Sequence, residues 1–125
     1  MVAYSFKASF EAPIAARTKR QTIRLPRKRH ARVSEAVQLY VGMRTRGCRK
    51  IIPDPVCIGV DEVRIDLRES PASVEVNGIP ILPAEIDAYA RADGFKDWRH
   101  MERWWRLTHG AVLFVGIAIR WGDEP

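Results

Sequence analysis

The sequence predicts a mixed α/β (α+β) fold dominated by short strands, a small β-barrel decorated with about three helices. Several short segments alternate apolar and polar residues, as half-buried strands do. Asn77-Gly78 lies between two apolar runs, which is a strong hairpin signal. The strands also follow one another too closely for βαβ units. With 125 residues, 46% of them apolar, the chain fits one domain over 1–125.

The first half of the chain is predicted to be mostly strand. Alternation in residues 22–25 places Ile23 and Leu25 on an apolar face, with Thr22 and Arg24 on the other. The segment Ala12 to Ala16 is expected to be a short helix, because Pro13 is tolerated in a first helical turn. The expected strands are 2–6, 22–25, 36–43, 48–52 and 56–67, with Val37, Leu39 and Val41 apolar in the third and Val60, Val63, Ile65 and Leu67 in the last.

The second half is predicted to contain a hairpin, two helices and a final strand. The hairpin covers 73–82, and a helix over 83–94 follows it, ending at Gly94. Asp97 is the expected N-cap of the next helix, which Gly110 ends. The last strand is expected over 111–121. One stripe of the second helix carries Trp98, Met101, Trp105 and Thr108, with Trp104 beside it, and is more typical of core packing than of a base-stacking surface.

Positive charge is concentrated in the first part of the chain. Residues 1–50 carry 13 lysines and arginines against two acids, a net of +11, whereas 51–125 carry 8 against 13, a net of −5. The densest run is Arg27, Lys28, Arg29 and His30. Such a run favours phosphate, so Arg27, Lys28 and Arg29 are candidate RNA-binding residues; a solvated loop is the alternative.

Membrane and metal functions find little support in the sequence. No apolar run is long enough to span a bilayer, and the first residues lack the apolar stretch of a secretory signal. We therefore expect a cytoplasmic protein without a membrane partner. The two cysteines do not form a CxxC pair and the three histidines are scattered, so we expect no metal and no cofactor.

The segment RTKRQTIR, residues 17–24, has the strongest chemical signal. Lys19 lies in the turn before a strand, where its long side chain can fold back towards Thr22. A threonine hydroxyl becomes a nucleophile when a base takes its proton. Lysine can be that base when burial or neighbouring cations lower its pKa. A basic surface turn leading into a strand is the alternative interpretation.

TKRQTIR after a short helix resembles the G-x-K-x-x-T-x-R signature of the ASCH domain family, relatives of the PUA RNA-binding barrel. The segments YSFKASF, HARVSEAVQLYVGMRTRGCR and DGFKDWRHMERWW are also similar to that family, so the resemblance covers nearly the whole chain. It implies a PUA-like barrel with a cleft for RNA or a modified base. Some small bacterial members are amidohydrolases that remove the acyl group from N4-acetylcytidine.

The resemblance implies specific site residues. The catalytic lysine and threonine of the signature correspond to Lys19 and Thr22, and the later acidic residue to Asp93, with Glu85, Asp87 and Glu62 as alternatives. Arg17 stands where the family has glycine, which puts the geometry of that turn in doubt. The expected substrate contacts are Arg24 at the oxyanion, Tyr40 against the pyrimidine and Arg44 at a phosphate.

Three functions follow as expectations. The first is a metal-independent amidohydrolase that acts on a modified pyrimidine nucleoside or base. The second is a non-catalytic RNA-binding domain, and the third is a ribonuclease. The complete Lys19, Thr22 and Arg24 set favours the first, whereas the basic N-terminal half favours an RNA ligand.

Overall fold

The computed structural model describes residues 1–123, and these form two β-sheets with three α-helices, a mixed α+β arrangement. The strands are β1 (Val2–Phe6), β2 (Gln21–Arg24), β3 (Val37–Val41), β4 (Arg49–Lys50), β5 (Val56–Asp66), β6 (Ser73–Val76), β7 (Ile79–Pro80) and β8 (Leu113–Gly122). The helices are α1 (Glu11–Ala15), which follows a 3-10 turn at Ala8–Phe10, α2 (Ile86–Ala92) and α3 (Trp98–His109). None of these helices is long and apolar enough to cross a membrane.

The two sheets meet at one side. The smaller has the order β1-β3-β4, with β1 and β3 parallel, and the larger has the antiparallel order β2-β8-β5-β6-β7. An isolated bridge between Ala36 and Val56 joins β3 to β5. On the other side, β1 and β2 are the outer strands of their sheets, and the Arg24 side chain spans the gap by donating to the Ser5 carbonyl oxygen at 2.7 Å. A closed barrel therefore stays a prediction.

Several element ends follow from local signals in the sequence. Asn77 and Gly78 both have positive φ and form the tight turn between β6 and β7. The Asp97 carboxylate accepts the backbone N–H of His100 at 2.8 Å and caps α3. Gly110, with φ 81°, ends that helix. The predicted hairpin, N-cap and helix end are confirmed.

Two apolar clusters fill the interior. One lies around β1 and β3 and includes Tyr4, Leu39 and Trp121; the other lies between the larger sheet and the helices and includes Met101 and Trp105. Phe10 packs against both clusters. The buried Val37, Leu39 and Val41 confirm the predicted alternation of β3.

Three details of the predicted strands were wrong. Leu25 is 66% exposed because β2 ends at Arg24, so it belongs to no buried face. Val60 is exposed because it has the opposite parity to the buried Val63 and Ile65 along β5. The strand expected over 48–52 is reduced to β4, two exposed residues that pair with β3.

Candidate active site

A cavity of about 340 Å³ opens where the β1 and β2 edges face α3. Six aromatic side chains form most of its wall: Phe6, Phe10, Phe95, Trp104, Trp105 and Phe114. Its polar lining includes Lys19, Thr22, Arg24 and Asp93. Pockets for small ligands typically combine an apolar wall with a few convergent polar groups. The three predicted catalytic residues and Arg24 therefore share one cavity.

The turn that ends α1 places Lys19 in the cavity wall. The N–H of Arg17 donates to the Ile14 carbonyl at 3.1 Å, and that of Thr18 to the Pro13 carbonyl at 3.0 Å, the paired bonds of a Schellman motif. Arg17 occupies the left-handed position of that motif, with φ 66°. Glycine is favoured there because it has no Cβ, so arginine keeps the glycine-type turn at a cost of about 1–2 kcal/mol.

A second Schellman motif, at the end of α2, places Asp93 in the same cavity wall. Gly94 has φ 96° and donates to the Arg91 carbonyl at 3.0 Å, and Phe95 donates to the Ala90 carbonyl at 3.0 Å. Asp93 is the C-cap, and its carboxyl group points inwards, with only 3% of the residue exposed. Two helix ends thus bring Lys19 and Asp93 together.

The Lys19 ammonium is held by Asp93 and two phenylalanine rings. Its Nζ lies 2.5 Å from the backbone oxygen of Asp93 and 3.6 Å from its Oδ1. The same Nζ lies 4.8 Å from the ring centre of Phe10 and 5.6 Å from that of Phe6. Gln21 Nε2 donates to Asp93 Oδ1 at 3.4 Å. The carboxyl group therefore has few partners to offset its burial.

Burial shifts both members of this pair towards their neutral forms. The pKa of Lys19 is lowered, mainly because burial removes water from the ammonium; Asp93 opposes this shift and the charge of Arg24 adds to it. The pKa of Asp93 is raised, again mainly by burial, against the attraction of Lys19. A neutral amine can accept a proton and a neutral carboxyl group can donate one, which are the two abilities that general acid–base chemistry requires.

Thr22 lies on β2 with its hydroxyl bound to Arg24. Arg24 Nε donates to Thr22 Oγ1 at 2.9 Å. Because the guanidinium occupies an acceptor position of that oxygen, the hydroxyl proton is left to be donated elsewhere. A donated charge-assisted hydrogen bond also stabilises the oxygen as it gains negative charge. The Lys19 amine lines the same cavity, but its hydrogen bond goes to the backbone oxygen of Asp93 and not to Thr22, so the predicted approach of Lys19 to Thr22 is not seen in this structure.

Gly94→Ala is expected to disturb this site directly. An added Cβ would lie 2.7 Å from Lys19 Cδ, and the positive φ of 96° disfavours alanine. We expect a loss of about 1–2 kcal/mol from the backbone alone, seen as a thermal midpoint lower by roughly 5 °C. Gly78→Ala is the matched control, since Gly78 has φ 79° and no atom within 4 Å of an added Cβ. A smaller loss in Gly94→Ala than in Gly78→Ala would contradict the close packing on Lys19.

The alternative acids lie outside the cavity. Glu62 and Glu85 are exposed, and the exposed Asp87 accepts the backbone N–H of Trp98 at 2.9 Å. None of the three lines the cavity, whereas Asp93 does. The geometry therefore favours Asp93 as the acid.

Two predicted substrate contacts are not brought to the cavity. Tyr40 has the predicted orientation, away from the core face of β3, but its ring lies 5.8 Å from Lys50 Nζ and it does not line the cavity. Arg44 is exposed in the turn after β3, with φ 66°, and is also absent from the lining. Their substrate roles are not supported by this arrangement.

The basic run is partly occupied by contacts within the protein. The guanidinium of Arg27 lies 4.7 Å from the ring centre of Tyr4, and its Nε donates to the Arg29 carbonyl. Arg29 binds both carboxylate oxygens of Glu35. Lys28 is exposed. The charge of Arg29 is therefore less available to a phosphate than the sequence indicated.

Several residues of the cavity were missed from the sequence. Phe10, Phe95 and His109 line it, and Trp104, considered mainly as core, is only half-buried there. Phe95 had a usable signal, since an apolar residue often follows the glycine that ends a helix. The pKa of His109 is lowered by burial and by Lys7. The others come from segments far apart in the sequence, and no local pattern identifies them.

Neither a family model nor a curated protein nor a solved structure matches this chain significantly. The ASCH assignment therefore rests on the resemblance of the quoted segments. Within residues 1–123, no group of three or more His, Cys, Asp or Glu side chains is placed to hold a metal ion.

Proposed function

We propose that this chain is a metal-independent amidohydrolase that removes the acyl group from N4-acylated cytidine or cytosine, built on a single PUA-like domain. The observation that carries the proposal is that the buried Lys19–Asp93 pair lines one aromatic cavity together with Thr22 and Arg24. Burying a charged pair is costly, and a solvated cation binds a ligand without that cost. A domain that only binds RNA has no evident need for such a pair.

The first half of the reaction forms an ester on Thr22. Thr22 Oγ1 attacks the acyl carbonyl carbon while its proton passes to the neutral amine of Lys19. The carbonyl oxygen gains negative charge, and Arg24, which is held beside the Thr22 hydroxyl, is the cation that stabilises it. The C–N bond then breaks, and the departing exocyclic nitrogen takes a proton from the neutral carboxyl group of Asp93.

The second half releases the acyl group with water. The Asp93 carboxylate, now without its proton, takes one from a water molecule that attacks the ester. The C–O bond to Thr22 breaks, and Lys19 returns the proton it had accepted to Oγ1. The products are the free cytosine amine and a carboxylic acid, and all three side chains return to their starting protonation states.

The cavity wall suits a flat pyrimidine. The half-buried Trp104 and the rings of Phe10 and Phe95 can contact its faces. The indole Nε1 of Trp105 is buried, and no acceptor within residues 1–123 binds it.

The direct test is turnover of N4-acetylcytidine by the purified protein. We expect release of cytidine, which is monitored by the loss of the ultraviolet absorbance of the acylated base. N4-methylcytidine is the control, because it lacks the carbonyl that Thr22 attacks, and it should remain unchanged. If N4-acetylcytidine released no cytidine and N4-acetylcytosine released no cytosine, the proposal would be overturned.

A further inference from the structure

A second, wider depression of about 730 Å³ lies on the other side of the turn that carries Lys19. Its lining includes four cationic side chains and one histidine: Arg17, Arg20, Arg91, Lys96 and His100. No acidic side chain among residues 1–123 lines it. We call this surface the basic basin.

The cations of the basin are free to bind a ligand. Within the described chain, no carboxylate pairs with any of the four, whereas Arg29, Arg49 and Arg120 each contact one. Arg20 Nε donates to the Arg17 carbonyl at 2.7 Å, which orients the guanidinium and leaves its terminal nitrogens available. Four cations without a carboxylate partner thus line one depression.

His100 adds an oriented donor. Its Nδ1 accepts the backbone N–H of Lys96 at 3.0 Å. A neutral imidazole whose Nδ1 is an acceptor carries its proton on Nε2, so the other ring nitrogen is a donor. Fixed donors beside guanidinium groups are the usual means of binding phosphate oxygens.

The basin and the cavity share a wall. Phe95 lines both, and Gly94, which lies against the Lys19 stem, lines the basin. In the segment from Arg17 to Arg20, only Lys19 lines the cavity, while Arg17, Thr18 and Arg20 line the basin. The basin and the cavity therefore lie on the two faces of the wall formed by the Lys19 turn and Phe95.

We propose that the basic basin binds the phosphate groups of a nucleotide or of a single-stranded oligonucleotide. Guanidinium groups recognise phosphate by bidentate, charge-assisted hydrogen bonds, and four unpaired cations exceed what one uncharged nucleoside can use. The proposal concerns binding and is measured without any hydrolysis, so it stands or falls separately from the amidohydrolase activity.

The test compares two double variants that remove the same charge. Arg91→Gln with Lys96→Gln removes two basin cations, whereas Arg32→Gln with Arg103→Gln removes two exposed cations outside it. The probe is a short fluorescent oligocytidylate, titrated at several salt concentrations. The basin variant should bind about tenfold more weakly near 0.1 M salt, with a salt slope smaller by about 1.4 for two lost contacts. The outside variant should retain its affinity within about twofold.

Competitors identify the source of the phosphate. Competition by cytidine 5′-monophosphate but not by cytidine assigns a terminal phosphate to the basin. Competition only by unlabelled oligocytidylate assigns the phosphodiesters of a strand. Equal losses in the two double variants, no loss in the basin variant, no binding of the probe, or equal competition by cytidine and its monophosphate would each overturn the proposal.

Discussion

Lys19→Arg should reduce kcat for N4-acetylcytidine by about 10²–10⁴-fold, the usual contribution of a general base. Arginine keeps the positive charge but does not lose its proton near neutrality. In the unsubstituted protein, activity should rise with pH through the lowered pKa of Lys19, because the neutral amine is the reactive form. At higher pH the activity should fall again as Asp93 loses the proton that it donates, so the profile should be bell-shaped. A pH–rate profile of both proteins makes the comparison.

The buried position of Lys19 calls for a second variant. Arginine is bulkier than lysine, and the Lys19 stem packs beneath Gly94. Lys19→Met keeps an unbranched side chain without a base and should also lose turnover. Thermal unfolding of each variant separates loss of chemistry from loss of fold. Substantial activity in a folded Lys19→Arg or Lys19→Met protein would reject the base role and favour a binding function.

Thr22→Ala should lower kcat by about 10³-fold or more, because it removes the atom that forms the ester. The protein should stay folded. The change deletes one hydrogen bond, from Arg24 Nε, at a cost of about 1 kcal/mol. Activity is measured by cytidine release, and the fold by the thermal midpoint.

Thr22→Ser is the matched control for the nucleophile. It keeps the hydroxyl group and the acceptor for Arg24, so it should retain most of the activity that alanine loses. Full turnover by Thr22→Ala would remove Thr22 from the mechanism. Equal loss in the serine and alanine variants would assign the effect to packing of the methyl group.

Local signals in the sequence predicted local structure well. The Asn77-Gly78 turn, the Asp97 cap and the end of α3 at Gly110 each depend on hydrogen bonds within a few residues. Such bonds leave a readable pattern in consecutive residues. The end of β2 was misjudged at Leu25, because nothing within the segment shows where pairing with β8 stops.

The candidate site depended on contacts that local patterns do not encode. Lys19 and Asp93 are 74 residues apart, and their pairing was expected from the family resemblance, not from spacing. Alternation along β3 correctly predicted the face on which Tyr40 lies, but it could not predict which residues of other strands Tyr40 would contact. One edge of β1 pairs with β3, and its other edge faces β2 across the gap between the sheets. β1 therefore lies between Tyr40 of β3 and the cavity.

The most direct test of the mechanism is the titration of Lys19 by carbon NMR, with lysine labelled at Cε. The exposed Lys7, Lys28 and Lys96 of the same chain serve as references. The Lys19 signal should titrate at a distinctly lower pH than those references, below the ordinary pKa of about 10.4. Its midpoint should coincide with the rise in the pH–rate profile. Titration of Lys19 together with the exposed lysines would contradict a neutral amine in the cavity, and with it the role of Lys19 as the base for Thr22.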